Sequence, residues 1–225
     1  MNDQDTPQHG KLHHHKLQDD IRQAVELGQD VQDAVKRITL KALSGEGLDT
    51  AAMRGIAQQV SSGVQLGLER HGREAGAVLE KAYAGLDEAF ATAAEATTLA
   101  LKEAAGKTRE FAKNDLSRMM EELKTLEGLY IDQLRDTARQ GKEFTAEAAH
   151  RFAEHATRSG TAVGRQIEQS LKELAPLGSI AQAQFKQGMN TSLEAGALVA
   201  RAAAGFLAGL AERMDPHSVR RSGKP

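Results

Sequence analysis

Histidine is the first place to look for chemistry in this chain, because imidazole binds transition metals and titrates near neutrality. Four of its eight histidines crowd the N-terminal stretch, at His9, His13, His14 and His15. His9 and His13 are spaced for one helical face. The stretch brings no positioned carboxylate to orient the rings, so an incidental histidine run is favoured over a metal site. His150 and His155 flank Phe152 and Glu154 in the order HRFAEH. They stand five apart, well separated around a helix and unlike the i, i+4 pair of a zinc protease. The chain has no cysteine, which removes disulfides, thiolate nucleophiles and Cys-based zinc sites. The glycines of GVQLGLERHG at 63–72 lack the strand-to-helix context of a phosphate-cradling loop. No Ser/His/Asp set or paired-carboxylate pocket emerges either. The expectation is a protein without catalytic residues, cofactor, bound metal or small-molecule substrate.

If no residue constellation carries chemistry, the elements themselves must carry the function. Hydrophobic residues make up 40% of the 225 positions, but 37 of them are alanine and only eight are Phe or Tyr, with no Trp. Large side chains provide most burial energy. The composition therefore argues for thin, small-residue packing or for long helices that each bury one stripe. A formal net charge of −2 gives no general attraction to nucleic acid. The N-terminal residues MNDQDTPQHGKLHHHKL lack the apolar core of a secretory signal, and no 18-residue stretch is both uncharged and strongly apolar. The expected location is the cytoplasm, peripheral to granules or to the inner membrane face.

The four prolines are Pro7, Pro176, Pro216 and Pro225, and a proline-free run from 8 to 175 suits long helices. Ala, Leu, Glu, Lys, Arg and Gln dominate it. The fold expected is all-α, with long amphipathic helices in an extended bundle or coiled-coil-like assembly, a disordered N-terminal leader and a C-terminal tail. Residues 1–15 read as the leader and 16–71 as a helical pair. The first helix, 16–43, carries Ile21, Val25, Gly28, Val31, Val35, Ile38 and Ala42 at nearly a 3.5-residue period. Ser44-Gly45-Glu46-Gly47 breaks it, and Asp49 is suited to cap the next helix. That helix presents Met53, Ile56, Val60, Val64 and Leu68 on one face. Gly63, Gly67, Gly72 and Gly76 recur within or beside it, and close helix packing is favoured over a hinge.

Residues 72–175 read as a long rod. Its Ala-rich first part, about 73–105, carries Leu79, Ala82, Leu86, Phe90, Ala93, Thr97, Ala100 and Ala104. Beyond a joint at Gly106, residues 107–174 hold twelve basic and twelve acidic side chains over a continuous seam. The seam runs through Leu116, Met120, Leu123, Leu126 or Glu127, Tyr130 and Leu134, then Gly141, Thr145, Ala148, Phe152, Ala156, Ser159, Val163, Ile167, Ser170 and Leu174. Its second half follows an eleven-residue repeat, which keeps a stripe nearly straight along one helix. Pro176 ends the rod, and 176–214 forms an Ala/Gly-rich apolar helix. There Gly196, Ala200, Ala204 and Ala208 recur every four residues, a spacing that lets helix backbones approach. Residues 215–225 form a basic tail.

The stretch EAGAVLEKAYAGLDEAFATAAEATTLALKEAAGK at 74–107 and the seam through 116–174 resemble phasins, the bacterial proteins that coat polyhydroxyalkanoate granules. The segment DIRQAVELGQDVQDAVKRITLKALSGEGLD at 20–49 is similar instead to an uncharacterised proteobacterial helical family. The phasin resemblance implies a noncatalytic amphipathic coat that shields a hydrophobic surface and self-associates. The chain is long for a phasin, and its C-terminal region is glycine-rich.

The residues then suggest two roles. Leu198, Val199, Phe206, Leu207 and Leu210 are the expected contacts to a hydrophobic surface, a polymer granule or a membrane face, with the basic tail meeting an anionic interface. Packing of the same segment against other helices stays open, and Arg201 in its middle disfavours spanning a bilayer. Leu116, Met120, Leu123, Tyr130, Phe152, Val163 and Ile167 are the expected self-association seam of a homo-oligomer. A structural helical-bundle or coiled-coil scaffold with protein partners only is the alternative.

Overall fold

A computed structural model describes residues 8–46, 50–107, 113–141 and 143–185, together with 203–205 and 207–208. Every regular element among the described residues is helical: α1 (Gln8–Leu27), α2 (Val31–Glu46), α3 (Thr50–Leu68), a 3-10 turn (Gly72–Glu74), α4 (Ala75–Lys107), α5 (Lys113–Gln140), α6 (Glu143–Ser159) and α7 (Ala162–Phe185). The all-α expectation therefore holds. Helical backbone reaches back to Gln8, into the stretch read as leader.

The helix expected over 16–43 is two helices. Gly28 adopts a left-handed φ of +68° and Asp30 one of +46°, a conformation cheap for glycine and tolerated by aspartate. The Gly28 N–H closes α1 on the Val25 carbonyl at 3.1 Å, and the Asp30 carbonyl accepts from Ala34 N–H at 2.9 Å to start α2. His71 adds Nε2 to the Val25 carbonyl at 2.6 Å. The apolar period runs on through this corner, which is why the pattern alone did not reveal it.

α1 and α3 run parallel and very close. A Cβ built on Gly63 would fall 2.5 Å from the Gln18 carbonyl oxygen and 2.8 Å from Ile21 Cβ. One built on Gly67 would fall 2.6 Å from Val25 Cβ and 2.8 Å from the Arg22 carbonyl oxygen. The packing role expected for these two glycines is thus the one they have. Gly72, in contrast, meets open space at φ +50° and shapes the turn into α4.

α4 is the centre of the bundle, packed by α2, α3, α5, α6 and α7. Gln32 and Lys36 of α2 reach Glu88 of α4 at 2.5 and 2.8 Å. α5 lies along α3 in the same direction, with Thr50 beside Thr125 at 3.5 Å and Gln65 beside Thr137 at 3.4 Å.

The rod expected over 72–175 is divided among four helices that pack on one another. α5 and α6 form a tight hairpin across Gly141, whose N–H bonds the Thr137 carbonyl at 2.8 Å. α6 stops at Ser159, and α7 runs on through Pro176 to Phe185. Proline does not end the helix there: Pro176 is exposed, so water can meet the carbonyl that lacks its N–H partner.

The core is continuous and thin. Alanines 57, 75, 82, 89, 93, 94, 96, 100, 148, 149, 153, 156 and 203 are buried in it beside the larger Leu79, Tyr83, Leu86, Phe90, Leu101, Tyr130, Leu134 and Leu174. Alanine brings backbones together but contributes little transfer energy of its own.

Candidate functional site

The densest polar constellation among the described residues lies where α4, α5 and α7 meet. Its local origin is the sequence Ser159-Gly160-Thr161. Gly160 takes φ +75° and its N–H bonds the Ala156 carbonyl at 2.9 Å, a glycine closing a helix. Thr161, buried, then caps α7 by accepting from Gly164 N–H at Oγ1, 2.8 Å away. Asp87 comes from α4 and takes the next two donors: Oδ2 accepts from Ala162 N–H at 2.7 Å and Oδ1 from Val163 N–H at 2.9 Å. Glu127 comes from α5 and accepts the Thr161 hydroxyl proton at Oε1, 2.8 Å away. Its carboxyl occupies the place a Cβ at Gly164 would need. Arg165 N–H bonds the Thr161 carbonyl at 3.2 Å.

The free N–H groups of the first turn of α7 are therefore met by two side chains, Asp87 and Thr161, and one carbonyl, with Glu127 of α5 holding the Thr161 hydroxyl. Two carboxylates at a helix N-terminus are favourable to its dipole but repel each other. Burial pushes the Asp87 carboxyl above its ordinary value, and Glu127 adds to the rise. The Val163 and Ala162 N–H groups and the Arg165 guanidinium work in the opposite direction. The chemistry of this arrangement is that of a joint: it fixes where α7 begins and ties it to α4 and α5.

A second polar set lies one turn earlier on α4. The buried Tyr83 hydroxyl hydrogen-bonds Thr137 Oγ1 and donates to Ser61 Oγ at 3.0 Å, linking α3, α4 and α5. Tyr130 stands edge-on to Tyr83 with ring centroids 6.3 Å apart. Burial pushes both hydroxyls above the usual phenol range, so both stay protonated.

The residues singled out by sequence fall elsewhere. Leu116, Leu198, Val199, Phe206 and Leu210 lie outside the residues whose side chains are described. Of the expected surface set, only Leu207 is described, and it is fully buried together with Ala203, four residues earlier.

Most of the expected self-association seam is described. Leu123, Tyr130, Val163 and Ile167 are buried within one chain, and Met120 and Phe152 pack half-buried against the same core. Folding the rod back on α4 buries these residues within one chain. Among the described residues, the large exposed apolar side chains are single leucines, Leu27, Leu66 and Leu99, and isolated ones are normal on a protein surface.

His150 and His155 point to different neighbours on α6, His150 to Glu154 at 3.4 Å and His155 to Ser159 at 3.5 Å. Among the described residues, no three His, Asp or Glu side chains come together to hold a metal ion. No described helix is long and apolar enough to cross a membrane.

Residues 8–216 match the model of a family of unknown function, DUF6781. The chain belongs to that family. No curated protein and no solved structure matches it. The family model spans every described helix, so the joint at α7 lies within the family's shared region.

Sequence reasoning missed Asp87, Glu127 and Thr161. The local signal was present in Ser159-Gly160-Thr161, a helix-closing glycine followed at once by a capping threonine. Asp87 and Glu127 carry no local signal, because they stand 75 and 34 residues from their partners.

Proposed function

We propose that the protein is a noncatalytic helical bundle that docks on a hydrophobic surface, a polymer granule or a membrane face, using amphipathic stripes that it keeps inside when free. The single observation behind this reading is the character of the α4–α7 seam. On α7, Val163, Ile167 and Leu174 are buried beside the hydroxyl of Ser170, which is fully buried without a hydrogen-bond partner. Asp87 and Lys102 of α4 bond to α7, and Ala91, Ala94 and Thr98 fall between them at helical spacing. Such a seam is amphipathic enough to meet an apolar surface and thin enough to be exchanged for one. The resemblance to phasins supports the same reading, as does the apolar content of residues 193–214.

The self-contained scaffold with protein partners only is the second reading. It is favoured by the burial of Leu123, Tyr130, Val163 and Ile167 in one chain. Flotation of the pure protein with neutral vesicles, anionic vesicles and polyhydroxybutyrate particles separates the two. The docking reading expects the protein to rise with at least one of them and names the surface by which. Protein left at the bottom of all three gradients overturns docking and leaves the scaffold.

A further inference from the structure

We infer that α7 is a releasable arm, hinged at Gly160-Thr161 and latched to the bundle by Asp87 and Glu127. Three independent features point to it. First, the chain already breaks at the hinge. Gly160 holds a left-handed φ of +75° between two helices, and a rotation there moves α7 without unwinding α6. α6 rests on α5 and α4, whereas α7 makes its own separate contacts with α4 and α5.

Second, the polar grip on α7 is concentrated at its start. Asp87 holds Ala162 and Val163, Thr161 holds Gly164, and Glu127 holds Thr161. Further along, Lys102 of α4 reaches Glu173 of α7 at 3.1 Å, between half-exposed side chains. Exposed pairs of this kind hold little.

Third, the seam that seats the arm is poorly suited to staying shut. α7 buries Val163, Ile167 and Leu174 there beside the half-buried Leu171, and among them the Ser170 hydroxyl has no partner. The Thr98 hydroxyl of α4 is already occupied by its own helix, on the Ala94 carbonyl at 2.8 Å, and does not serve Ser170. A buried hydroxyl without a partner favours the open state, where water meets it. Pro176 removes one helical hydrogen bond from the distal half of the same arm.

On opening, the arm uncovers two strips at once: Val163, Ile167 and Leu174 on itself, and the surfaces of α4 and α5 that it packs on. Their use on an apolar surface rests on the docking reading above. The hinge itself does not.

The test is backbone hydrogen exchange of the full chain, in solution and without any surface added, read separately for 165–176 and for the α1, α3 and α4 segments. The arm predicts that α7 exchanges through its own opening, faster than α4 under native conditions. Asp87→Ala should speed exchange in α7 by on the order of tenfold while leaving α1 and α3 unchanged. Ser170→Ala should slow α7 severalfold, because it removes the hydroxyl that favours opening. This second variant keeps the test decisive if Asp87→Ala fails to fold. A single common protection for α4 and α7 in the wild type, unchanged in pattern by Ser170→Ala, overturns the arm. Because no surface is present, that result would leave the flotation outcome untouched, and a failed flotation would leave the hinge standing.

Discussion

The two sides of α4 are held by different physics. On one side α1 and α3 close on each other through Gly63 and Gly67, backbone against backbone, with Ile21 and Val25 filling what remains. Such contacts are short-ranged, indifferent to charge and intolerant of added volume. On the other side α7 is fastened by two carboxylates and a threonine at one end and buries the unpartnered Ser170 hydroxyl further along. That fastening is directional and depends on protonation. The difference teaches that one bundle can combine a part built to stay shut with a part that opens at low cost, without changing its helix type or its composition.

The largest expected effect breaks the glycine side. Gly67→Val would drive a branched side chain into Val25 and the Arg22 carbonyl, neither of which is the free end of a flexible group. A loss of about 3 kcal/mol is expected, read as a lower urea midpoint of the whole chain. A variant as stable as the wild type would show that α1 and α3 do not depend on this approach, and the contrast between the two sides would collapse.

Next comes the latch. Asp87→Ala strands two N–H donors at the start of α7 and should lose about 2 kcal/mol, with the change concentrated in α7. Asp87→Asn tests its electrostatics. The folded state raises the Asp87 carboxyl above the ordinary 3.8, so it holds the proton more tightly than the unfolded chain does. The sign follows from linkage: the wild type gains stability relative to Asp87→Asn as pH falls through the raised value. The gain levels off below the ordinary value and is lost as pH rises. Urea midpoints of both proteins between about pH 4 and about pH 8 measure it. A wild-type advantage that grows with pH instead would mean that the two N–H donors outweigh burial.

The third effect has the opposite sign. Ser170→Ala should stabilise the protein by about 1 kcal/mol, because the Ser170 hydroxyl is fully buried and unpartnered while its loss removes almost no volume. A thermal midpoint that falls would point to a partner for that hydroxyl and would make the α7 seam as well satisfied as the α1–α3 seam.

Much of the stay-shut side was legible in the sequence. Ile21, Val25, Val31 and Val35, then Met53, Ile56, Val60, Val64 and Leu68, repeat at helical spacing, and all are buried. Leu79, Ala82, Leu86, Phe90, Ala93, Thr97 and Ala100 of α4 are buried as their period requires. Hydrophobic spacing reports which face of a helix is inside, and it does so well. It does not report where a helix stops when the period continues across the turn. That is what happens at Gly28, and again at Gly160, where the eleven-residue stripe passes from α6 to α7 with Val163 and Ile167 still in phase. A stripe that keeps phase also conceals its partner: the same residues serve a second copy of an extended rod or the same chain folded back. Only the fold decides between them, and with it whether Asp87 and Glu127 sit on a solvated face or on a helix end.

The smallest effect sharpens the comparison most. If the arm is held at its start, the Lys102–Glu173 pair should be nearly dispensable. Both groups are substantially exposed, at 47% and 35%, so water and salt screen them. Glu173 is also served by the Gln169 amide at 3.0 Å, and keeps a partner when the lysine is gone. Lys102→Ala should then shift the urea midpoint by no more than its measuring error and leave α7 exchange unchanged, at low and high salt alike. A clear loss at low salt that vanishes at high salt would show that charge fastens α7 along its length as well as at its end. The arm would then have a second latch, and opening from Gly160 would require both carboxylate contacts to yield together.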